Sequence, residues 1–322
     1  MNDTDIQALG RHVAEFAGRA PSVHNTQPWQ FSLDGRLLHV YANPARRLLV
    51  SDPAGREMIL SCGVAIRFAE LVAAQFVERL QTQYFPNRER LLHLATIELG
   101  GRVNRPAEPY TGVEETIARR WSDRRPFGPP DAALLRTRLA QLDDDHGHCT
   151  VSIAKPDTVA LIASIGAQHD AANRYDAGYR HEMRWWAANR TYSDGISPQQ
   201  RPADPDAAPA TGRAFPAGTL RTAPIDDGAE LAAITSPDDE PMDWIQAGRL
   251  LADVLLSATT LGLHSCTLTQ FLEPVAGSPD SPRLRITDQS VMQAAVRIGT
   301  ATGPEPAEPT RRLSVDSIFE VW

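Results

Sequence analysis

The chain has 322 residues, of which 42% are hydrophobic and 22% charged, as expected for a soluble globular protein of one large domain or two average ones. Its formal net charge is −8 and its basic residues form no separate run, so binding to nucleic-acid phosphates is disfavoured. Lys155 is the only lysine, which excludes a phosphate-loop or Schiff-base lysine elsewhere in the chain.

Export and membrane insertion are also disfavoured. The N-terminus, MNDTDIQALGRH, is acidic and has no apolar signal core, which predicts a cytoplasmic protein. Residues 57–77 and 244–263 are apolar, but each stretch contains, well inside it, an arginine and an acidic residue that are costly inside a bilayer, so we expect buried helices and no membrane partner. These residues are Arg67, Glu70, Arg249 and Asp253. The cysteines have no metal-ligand spacing and are expected to be reduced and buried; they are Cys62, Cys149 and Cys266.

The first hundred residues predict a helix, a hairpin, a long helix and a strand. Helical spacing at 5–17 ends at Gly18, and Asp34-Gly35 lies between two alternating apolar runs, which is typical of a hairpin turn. Residues 55–80 are apolar almost all round, so we expect one helix through the middle of a core or an interface. Residues 91–99 are expected to form a strand.

The remaining residues predict a second set of elements. A polar helix is expected at 113–128, followed by further helices and strands at 131–142, 149–154, 157–170, 171–190, 229–235, 244–263 and 291–300. Four side chains at near-helical spacing predict a core stripe; they are Tyr175, Tyr179, Met183 and Trp186. Residues 194–228, which we call the arm, are rich in Pro, Ala, Gly and Asp, and form a surface arm, a lid or a disordered excursion. Because the order of apolar helix and strand repeats, we also predict an internal duplication.

Three polar clusters are candidates for a functional site. The first is the loop APSVHNTQPWQF at 20–31, the second is ARRWSDRRPFG, and the third is EPTRRLS with Arg311 and Arg312. Arg120, Ser122 and Arg124 alternate, which would place all three on one side of an extended segment and aim them at one anion. Each cluster taken alone has an ordinary explanation as turn chemistry or solvated surface. Their presence together favours a binding site.

Other sites find little support. His181-Glu182 is no zinc motif because Trp185 stands where the second histidine is needed, and the chain has neither G-x-S-x-G nor G-x-G-x-x-G after a strand. The acidic and histidine residues of LDDDHGH at 142–148 are expected to be a solvated loop.

The quoted motifs resemble those of the nitroreductase family. APSVHNTQPW is similar to its flavin loop, P-S-x-x-N-x-Q-P-W, and RRWSDRRPF resembles its phosphate motif, R-x-S-x-[RK]. GLHSCTLTQFLE is similar to the segment that faces the flavin ring, and RRLS resembles a C-terminal arginine element. The order of these motifs is similar to that of the Acg-type proteins of actinobacteria, and the resemblance extends from about residue 8 to residue 320.

The resemblance implies an α+β nitroreductase-like fold in which two related halves form an intramolecular pseudo-dimer around long buried helices. Residues 1–110 would carry the flavin loop, and residues 111–322 would carry the phosphate arginines and a lid or arm at 194–240. One composite site would be complete, and the pseudo-dimer could itself form a homodimer.

The same resemblance implies that the cofactor is FMN and assigns the residues around it. The phosphate and ribityl chain would be held by Arg120, Ser122, Arg124, Arg311 and Arg312. The ring would be lined by Pro21, Ser22, Val23, Asn25 and Gln27, with Asn25 hydrogen-bonded to the flavin. Backbone N–H groups near Thr269 and Gln270 would face flavin N5. Asp123, an acid beside the supposed phosphate site, is expected to pair with Arg125 and point away.

The implied activity is hydride transfer from NADH or NADPH to flavin N5 and on to a nitroaromatic or quinone-like small molecule. This chemistry requires no metal and no side-chain nucleophile or general base. Two alternatives stay open. A closed lid would make the chain a flavin-binding stress protein with little turnover, and a decayed site would leave a structural or interaction protein.

Overall fold

The computed structural model of the protein contains eight helices and ten strands in its described residues, which are 3–87, 89–101, 112–187, 193–204, 209–213, 215–222, 225–274, 284–287, 290–304 and 309–322, with the backbone alone at 143–146 and 287. The helices are α1 (Asp3–Ala17), α2 (Arg56–Ala73), α3 (Val113–Arg119), α4 (Ala132–His146), α5 (Pro156–Asn173), α6 (Ala177–Ala187), α7 (Pro241–Thr260) and α8 (Val315–Ile318). The domain boundary predicted at 110/111 lies outside the described residues.

The strands form two sheets. They are β1 (Trp29–Asp34), β2 (Leu37–Ala42), β3 (Arg79–Tyr84), β4 (His93–Gly100), β5 (Thr150–Ile153), β6 (Glu230–Ser236), β7 (His264–Leu268), β8 (Arg285–Thr287), β9 (Ser290–Gly299) and β10 (Phe319–Val321). The first sheet has the order β10-β1-β2-β4-β3, and the second has the order β5-β6-β9-β7 with β8 paired to β9. The hairpin predicted at Asp34-Gly35 is confirmed by the pairing of β1 with β2.

The two sheets repeat one topology. In each, four strands are antiparallel in the same order, with α2 connecting β2 to β3 and α7 connecting β6 to β7. Each also has a register shift at the same place, between Val40 and Tyr41 in β2 and between Ile234 and Thr235 in β6. The fold is therefore α+β with two related halves, as predicted.

The two long helices α2 and α7 cross at glycines in the centre of the molecule. A Cβ on Gly63 would lie 3.1 Å from the Cα of Gly248 and would run into the carbonyl oxygen of Ile245. Such close backbone approach is open only to glycine. Both helices are buried over most of their length, as their all-round apolar sequences predict.

Four charged residues within these helices pair with each other across the crossing. Arg67 Nε lies 2.9 Å from Asp253, and Arg249 Nη2 lies 3.0 Å from Glu70. The charges that argued against membrane insertion thus join the two halves. None of the helices in the described ranges is both long and apolar enough to traverse a bilayer. The three cysteines are free and buried, as predicted.

The chain's C-terminus returns to the first half. Strand β10 pairs in parallel with β1, with Phe319 opposite Phe31, so the segment assigned to the second half also completes the first sheet. The sequence analysis did not predict this strand. It has only three residues, which is too short for an alternating pattern to be recognised.

Other sequence predictions were wrong in extent. Helix α2 ends at Ala73, and the predicted helical residues near 80 begin β3 instead, where alternate side chains are half-buried and exposed. Helix α3 ends at Arg119 rather than near 128, because the following residues run extended beside β7, with Ser122 bridged to Ser265. Tyr175 lies between α5 and α6 and is 80% exposed, so it is outside the core that Tyr179 and Trp186 join. The side chains of 143–146, in the LDDDHGH loop prediction, lie outside the described residues.

Candidate functional site

Two neighbouring cavities bring most of the predicted site residues together. The first, which we call the central cavity, is lined by the loop of residues 21–24, by α2 and α7, by the end of β7 and by the arm. Seven predicted residues line it: Pro21, Ser22, Val23, Ser122, Arg124, Thr269 and Gln270. The second, the arginine cleft, lies between α1, the end of α3 and the C-terminal segment, and Arg120, Arg311 and Arg312 line it.

The loop of residues 21–27, part of which lines the central cavity, has a strained backbone. His24, Asn25 and Gln27 have φ values of 46°, 56° and 50°, which non-glycine residues rarely adopt. Such conformations persist where surrounding contacts fix them, and they are common at ligand sites. Here the amide of Val23 donates to Ser61 Oγ at 3.2 Å, and the amide of Gln27 donates to Ser22 Oγ at 2.8 Å.

Asn25 and Gln27 bind protein groups rather than lining either cavity. Asn25 Nδ2 donates to the carbonyl oxygens of Gly195 at 3.0 Å and Arg311 at 3.2 Å. Gln27 Nε2 donates to Ser193 O at 2.8 Å, and its Oε1 accepts from the amide of Leu313 at 2.8 Å. These side chains tie the loop to the arm and to the C-terminal segment. Among the side-chain nitrogen and oxygen atoms of these two residues, Asn25 Oδ1 is the one without a hydrogen-bond partner in the described part of the chain.

The arginine cleft concentrates positive charge. Its described lining holds five arginines and a single, exposed carboxylate; these are Arg19, Arg119, Arg120, Arg311, Arg312 and Glu15. Arg120 is only 7% exposed, and its Nε and Nη1 atoms have no partner among the described residues. Burial lowers the pKa of Arg120 to about 10. A buried guanidinium with free donors is expensive unless an anion occupies the cleft.

Arg312 shares this environment. Burial and the neighbouring Arg120 and Arg19 lower its pKa to about 9. Its guanidinium donates to the carbonyl oxygens of Arg311 at 3.0 Å and Arg19 at 3.2 Å, while Nε has no partner in the described residues. Arg120 and Arg312 are therefore two like charges held close together by the fold, with donors free for a polyvalent anion.

The extended segment after α3 distributes its side chains differently from the prediction. Ser122 and Arg124 line the central cavity, whereas Arg120 lines the arginine cleft, so the three do not aim at one anion position. Arg124 Nη1 donates at 3.2 Å to the carbonyl oxygen of Gln200, which borders the cleft. A ligand contacting all three residues must extend from one cavity to the other.

Asp123 points away from both cavities, as predicted. It is fully buried, with Arg125 Nη2 at 2.7 Å and His264 Nδ1 at 2.8 Å. Burial alone would raise the pKa of Asp123, but the hydrogen bonds from His264 and Arg125 lower it below the usual range. This carboxylate fixes the extended segment to β7 through His264.

The arm covers the central cavity in its described residues. Phe215 lies edge-on to His24 at 5.8 Å between ring centres, and the Arg124 guanidinium lies 5.2 Å from the centre of the Phe215 ring. Arg213 forms a buried ion pair with Glu273. The described residues of the arm thus form part of the cavity wall.

Sequence analysis missed Glu57, which lines the central cavity from the first turn of α2. It is 4% exposed, and neither carboxylate oxygen has a hydrogen-bond partner in the described chain. An acid at the start of an otherwise apolar helix was the available signal. This signal is weak, because acids are common at helix N-termini for electrostatic reasons alone. Among the described residues, no group of three His, Cys, Asp or Glu side chains is placed to hold a metal ion.

Comparison with known proteins found relatives over the whole chain, although no family model matches it. A Mycobacterium tuberculosis protein named "Putative NAD(P)H nitroreductase acg" is 30% identical over 330 residues, covering 100% of this chain and 98% of that protein. A second Mycobacterium tuberculosis protein, named "Putative NAD(P)H nitroreductase Rv3131", is 30% identical over 321 residues, covering 96% of this chain and 90% of that protein. A solved nitroreductase with bound FMN from Desulfitobacterium hafniense has a TM-score of 0.39 and 16% identity, covering 63% of this chain and 95% of that one.

Proposed function

The chain belongs to the NAD(P)H nitroreductase family that includes Acg, and from this membership we propose that it binds FMN and uses NADH or NADPH to reduce a small-molecule acceptor. Nitroaromatic compounds and quinones are the acceptor classes that this chemistry serves. The observation that carries the proposal is the unsatisfied guanidinium of Arg120 in the arginine cleft.

The arginine cleft fits the phosphate of FMN. A phosphate monoester carries a charge of about −1.5 to −2 and three strong acceptor oxygens. Arg120 offers two donors without partners and Arg312 offers one, and Arg311 adds charge at the rim. An anion there would remove the burial cost of both guanidinium groups.

The central cavity fits a flat, partly polar ring. Its walls combine apolar side chains such as Leu60, Val64 and Leu251 with the polar loop at Ser22 and the backbone at Thr269 and Gln270. Ser122 and Arg124 stand between this cavity and the cleft, where the ribityl chain would lie. Pro21 and Val23 belong to the wall that would face the ring, and Asn25 and Gln27 would support that wall from behind.

When bound, FMN supplies hydride acceptance at N5 and hydride donation to the acceptor. The protein's own contribution is to bind the cofactor, to orient it between its halves and to limit the access of water. The described side chains supply cations at one end of the site and a chamber with both apolar and polar walls at the other, which suits a cofactor with a charged tail and a flat, partly polar ring.

The phosphate assignment can be tested with two ligands that differ only in that group. We expect the wild-type chain to bind FMN at least about a hundredfold more tightly than riboflavin, because each charge-assisted hydrogen bond contributes about 1.5–3 kcal/mol. The double variant Arg120→Ala, Arg312→Ala should lose that preference and bind both alike.

A matched control removes the same charge elsewhere. Arg79→Ala combined with Arg136→Ala takes two exposed arginines from β3 and α4 and should keep the preference for FMN. Equal affinity of the wild-type chain for FMN and riboflavin in a fluorescence titration would contradict the phosphate assignment.

A second candidate function, a flavin-holding protein with little turnover, is favoured by the arm. Pro202, Pro209, Arg213 and Phe215 line the central cavity, where a nicotinamide would have to stack. If this closed form persists with FMN bound, the cofactor will be retained but reduced slowly by NADPH. Anaerobic stopped-flow measurement of the flavin absorbance distinguishes the two functions, because only the reductase bleaches on the time scale of turnover.

A further inference from the structure

Four buried acidic side chains lie near one another beside the central cavity, and two of them, Glu57 and Glu273, line it. Asp52, Glu57, Glu182 and Glu273 are 3%, 4%, 8% and 2% exposed. The cations that face Glu57 are Arg56 and Arg213. Four ionised carboxylates at one buried place would repel each other, so their hydrogen bonds decide which of them holds a proton.

Three of the four carboxylates have strong partners. Glu182 accepts from the amides of Val50 at 2.9 Å and Ser51 at 3.0 Å. Glu273 is ion-paired with Arg213. Asp52 accepts from two amides in the first turn of α2, those of Glu57 at 3.1 Å and Met58 at 2.8 Å.

Glu57 has the weakest partners of the four: it has no ion pair and no backbone amide donor among the described residues, and the neutral group that faces it is the Thr269 hydroxyl. The helix N-terminus, which would favour its charge, is already occupied by Asp52. Arg56 is directed to the other half, where it binds Asp239 at 3.0 Å. Burial raises the pKa of Glu57 and Glu182 adds to that effect, whereas the facing Thr269 hydroxyl, Arg56 and Arg213 oppose it.

The other titratable groups of the cavity are poor proton donors. Burial, Arg213 and Arg124 lower the pKa of His24 well below its usual value, so its ring is neutral at pH 7. Burial raises the pKa of Cys266, and a thiol is a weak acid even before that change. Burial raises the pKa of Glu273 as well, but Glu273 is held by its ion pair with Arg213. Of the two described carboxyl groups that line this cavity, Glu57 is the one without an ion-pair partner, which suits it to hold a transferable proton near neutral pH.

We propose that Glu57 stands in the central cavity as a neutral carboxylic acid and gives its proton to an oxygen of the electron acceptor. This inference rests on the proposed function and names a residue for it. A quinone that takes up one hydride equivalent and one proton becomes a hydroquinone. NAD(P)H supplies the hydride equivalent through the cofactor, Glu57 supplies the proton, and the resulting carboxylate regains a proton from water. General acid catalysis of this kind contributes about 10²–10⁴-fold to a rate.

The protonation state can be observed without turnover. The infrared spectrum of the FMN-supplemented protein at pH 7 should contain the carbonyl band of a buried carboxylic acid, and this band should shift in D₂O. Because burial and Glu57 raise the pKa of Asp52 to about 7, part of this band belongs to Asp52, and Glu57→Gln should reduce the band rather than remove it. Glu70→Gln is the matched control, because Glu70 lies on the same helix with the same 4% exposure but has an ion-pair partner, Arg249. The Glu70→Gln variant should keep the band at its wild-type intensity.

The proton transfer is tested by reoxidation of the pre-reduced protein with a water-soluble benzoquinone in anaerobic stopped flow. Glu57→Gln should slow this step by about a hundredfold and abolish its dependence on pH, with FMN affinity unchanged. Glu57→Asp, which keeps the acid, should recover part of the rate and covers the case in which the glutamine variant fails to fold. Glu70→Gln should reoxidise as the wild type does.

The outcomes separate this inference from the proposed function. A band of undiminished intensity in Glu57→Gln overturns the inference, as does normal reoxidation of that variant after the band has been reduced. If the wild-type chain retains no FMN, the proposed function fails, and the infrared spectrum of the cofactor-free chain still decides whether Glu57 is protonated.

Discussion

Gly63 of α2 and Gly248 of α7 face each other where the two helices cross, each at the place where a Cβ would meet the partner helix's backbone. The site depends on this contact, because α2 supplies Glu57 and Ser61 to the central cavity and α7 supplies Leu251. Because both residues are glycines, the two helices, and with them the two halves, can approach this closely.

Gly63→Ala should destabilise the protein by about 1–3 kcal/mol, because the added methyl group must push apart two well-packed backbones. Urea unfolding followed by circular dichroism measures this loss. Gly166→Ala on α5 is the control, since nothing lies within 4 Å of a Cβ there, and it should be neutral or stabilising by up to about 1 kcal/mol. Equal effects of the two substitutions would mean that the crossing tolerates side chains.

The buried carboxyl cluster should make stability depend on pH. Burial and the neighbouring Glu57 raise the pKa of Asp52 to about 7, and burial raises that of Glu57. The folded state then binds more protons than the unfolded state above pH ~4, so this contribution is fully present below that pH. It is lost as pH rises through about 7, at about 1.4 kcal/mol per pH unit for each proton.

Glu57→Gln removes one of these groups, so its unfolding free energy should fall less steeply than that of the wild type between pH ~4 and pH ~7. Urea unfolding at several pH values measures the difference, with Glu70→Gln as the reference for loss of a buried carboxyl group. Parallel curves for the wild type and Glu57→Gln would show that Glu57 keeps an ordinary pKa.

The buried pair of Asp123 and Arg125 should be a major stabilising contact of the extended segment. Asp123→Asn leaves Arg125 and His264 without their anion and should cost about 3–5 kcal/mol in the free energy of unfolding. Asp316→Asn is the control. Its ion pair with Arg11 has the same 2.7 Å distance, but both side chains are exposed, so its loss should cost at most about 1 kcal/mol. Similar losses for both variants would contradict the importance of burial at Asp123.

The arm should limit access to the central cavity. Phe215→Ala removes the ring that packs against His24 and Arg124, and should speed anaerobic reduction of bound FMN by NADPH about tenfold, which is ~1.4 kcal/mol of barrier. Tyr175→Ala, which truncates an aromatic residue that is 80% exposed, should leave the rate unchanged. An unchanged rate in Phe215→Ala would mean that the arm does not control entry of the nicotinamide.

Sequence patterns predicted the two long helices and the first hairpin well, because these elements have strong, simple signals. The all-round apolar composition of α2 and α7 predicted two buried helices, and Asp34-Gly35 predicted the first hairpin. The predicted pair of Asp123 with Arg125 is also confirmed. In each case nearby residues decide the structure.

The predictions that failed depend on contacts distant in sequence. Strand β10 forms because β1, nearly 300 positions earlier, offers a free edge, and α3 ends early because Ser122 bridges to Ser265. Likewise, the separation of Arg120 from Arg124 and the lack of partners at Glu57 follow from packing between the halves. No local pattern contains that information.

The central claim, that this chain is an FMN-dependent reductase, is tested most directly by its visible absorption spectrum. The protein is supplemented with FMN, desalted, and measured before and after anaerobic addition of NADPH. The account predicts a retained flavin band that bleaches with NADPH and returns when a quinone is added. Loss of all flavin on desalting would contradict it, and the arginine cleft would then hold some other anion.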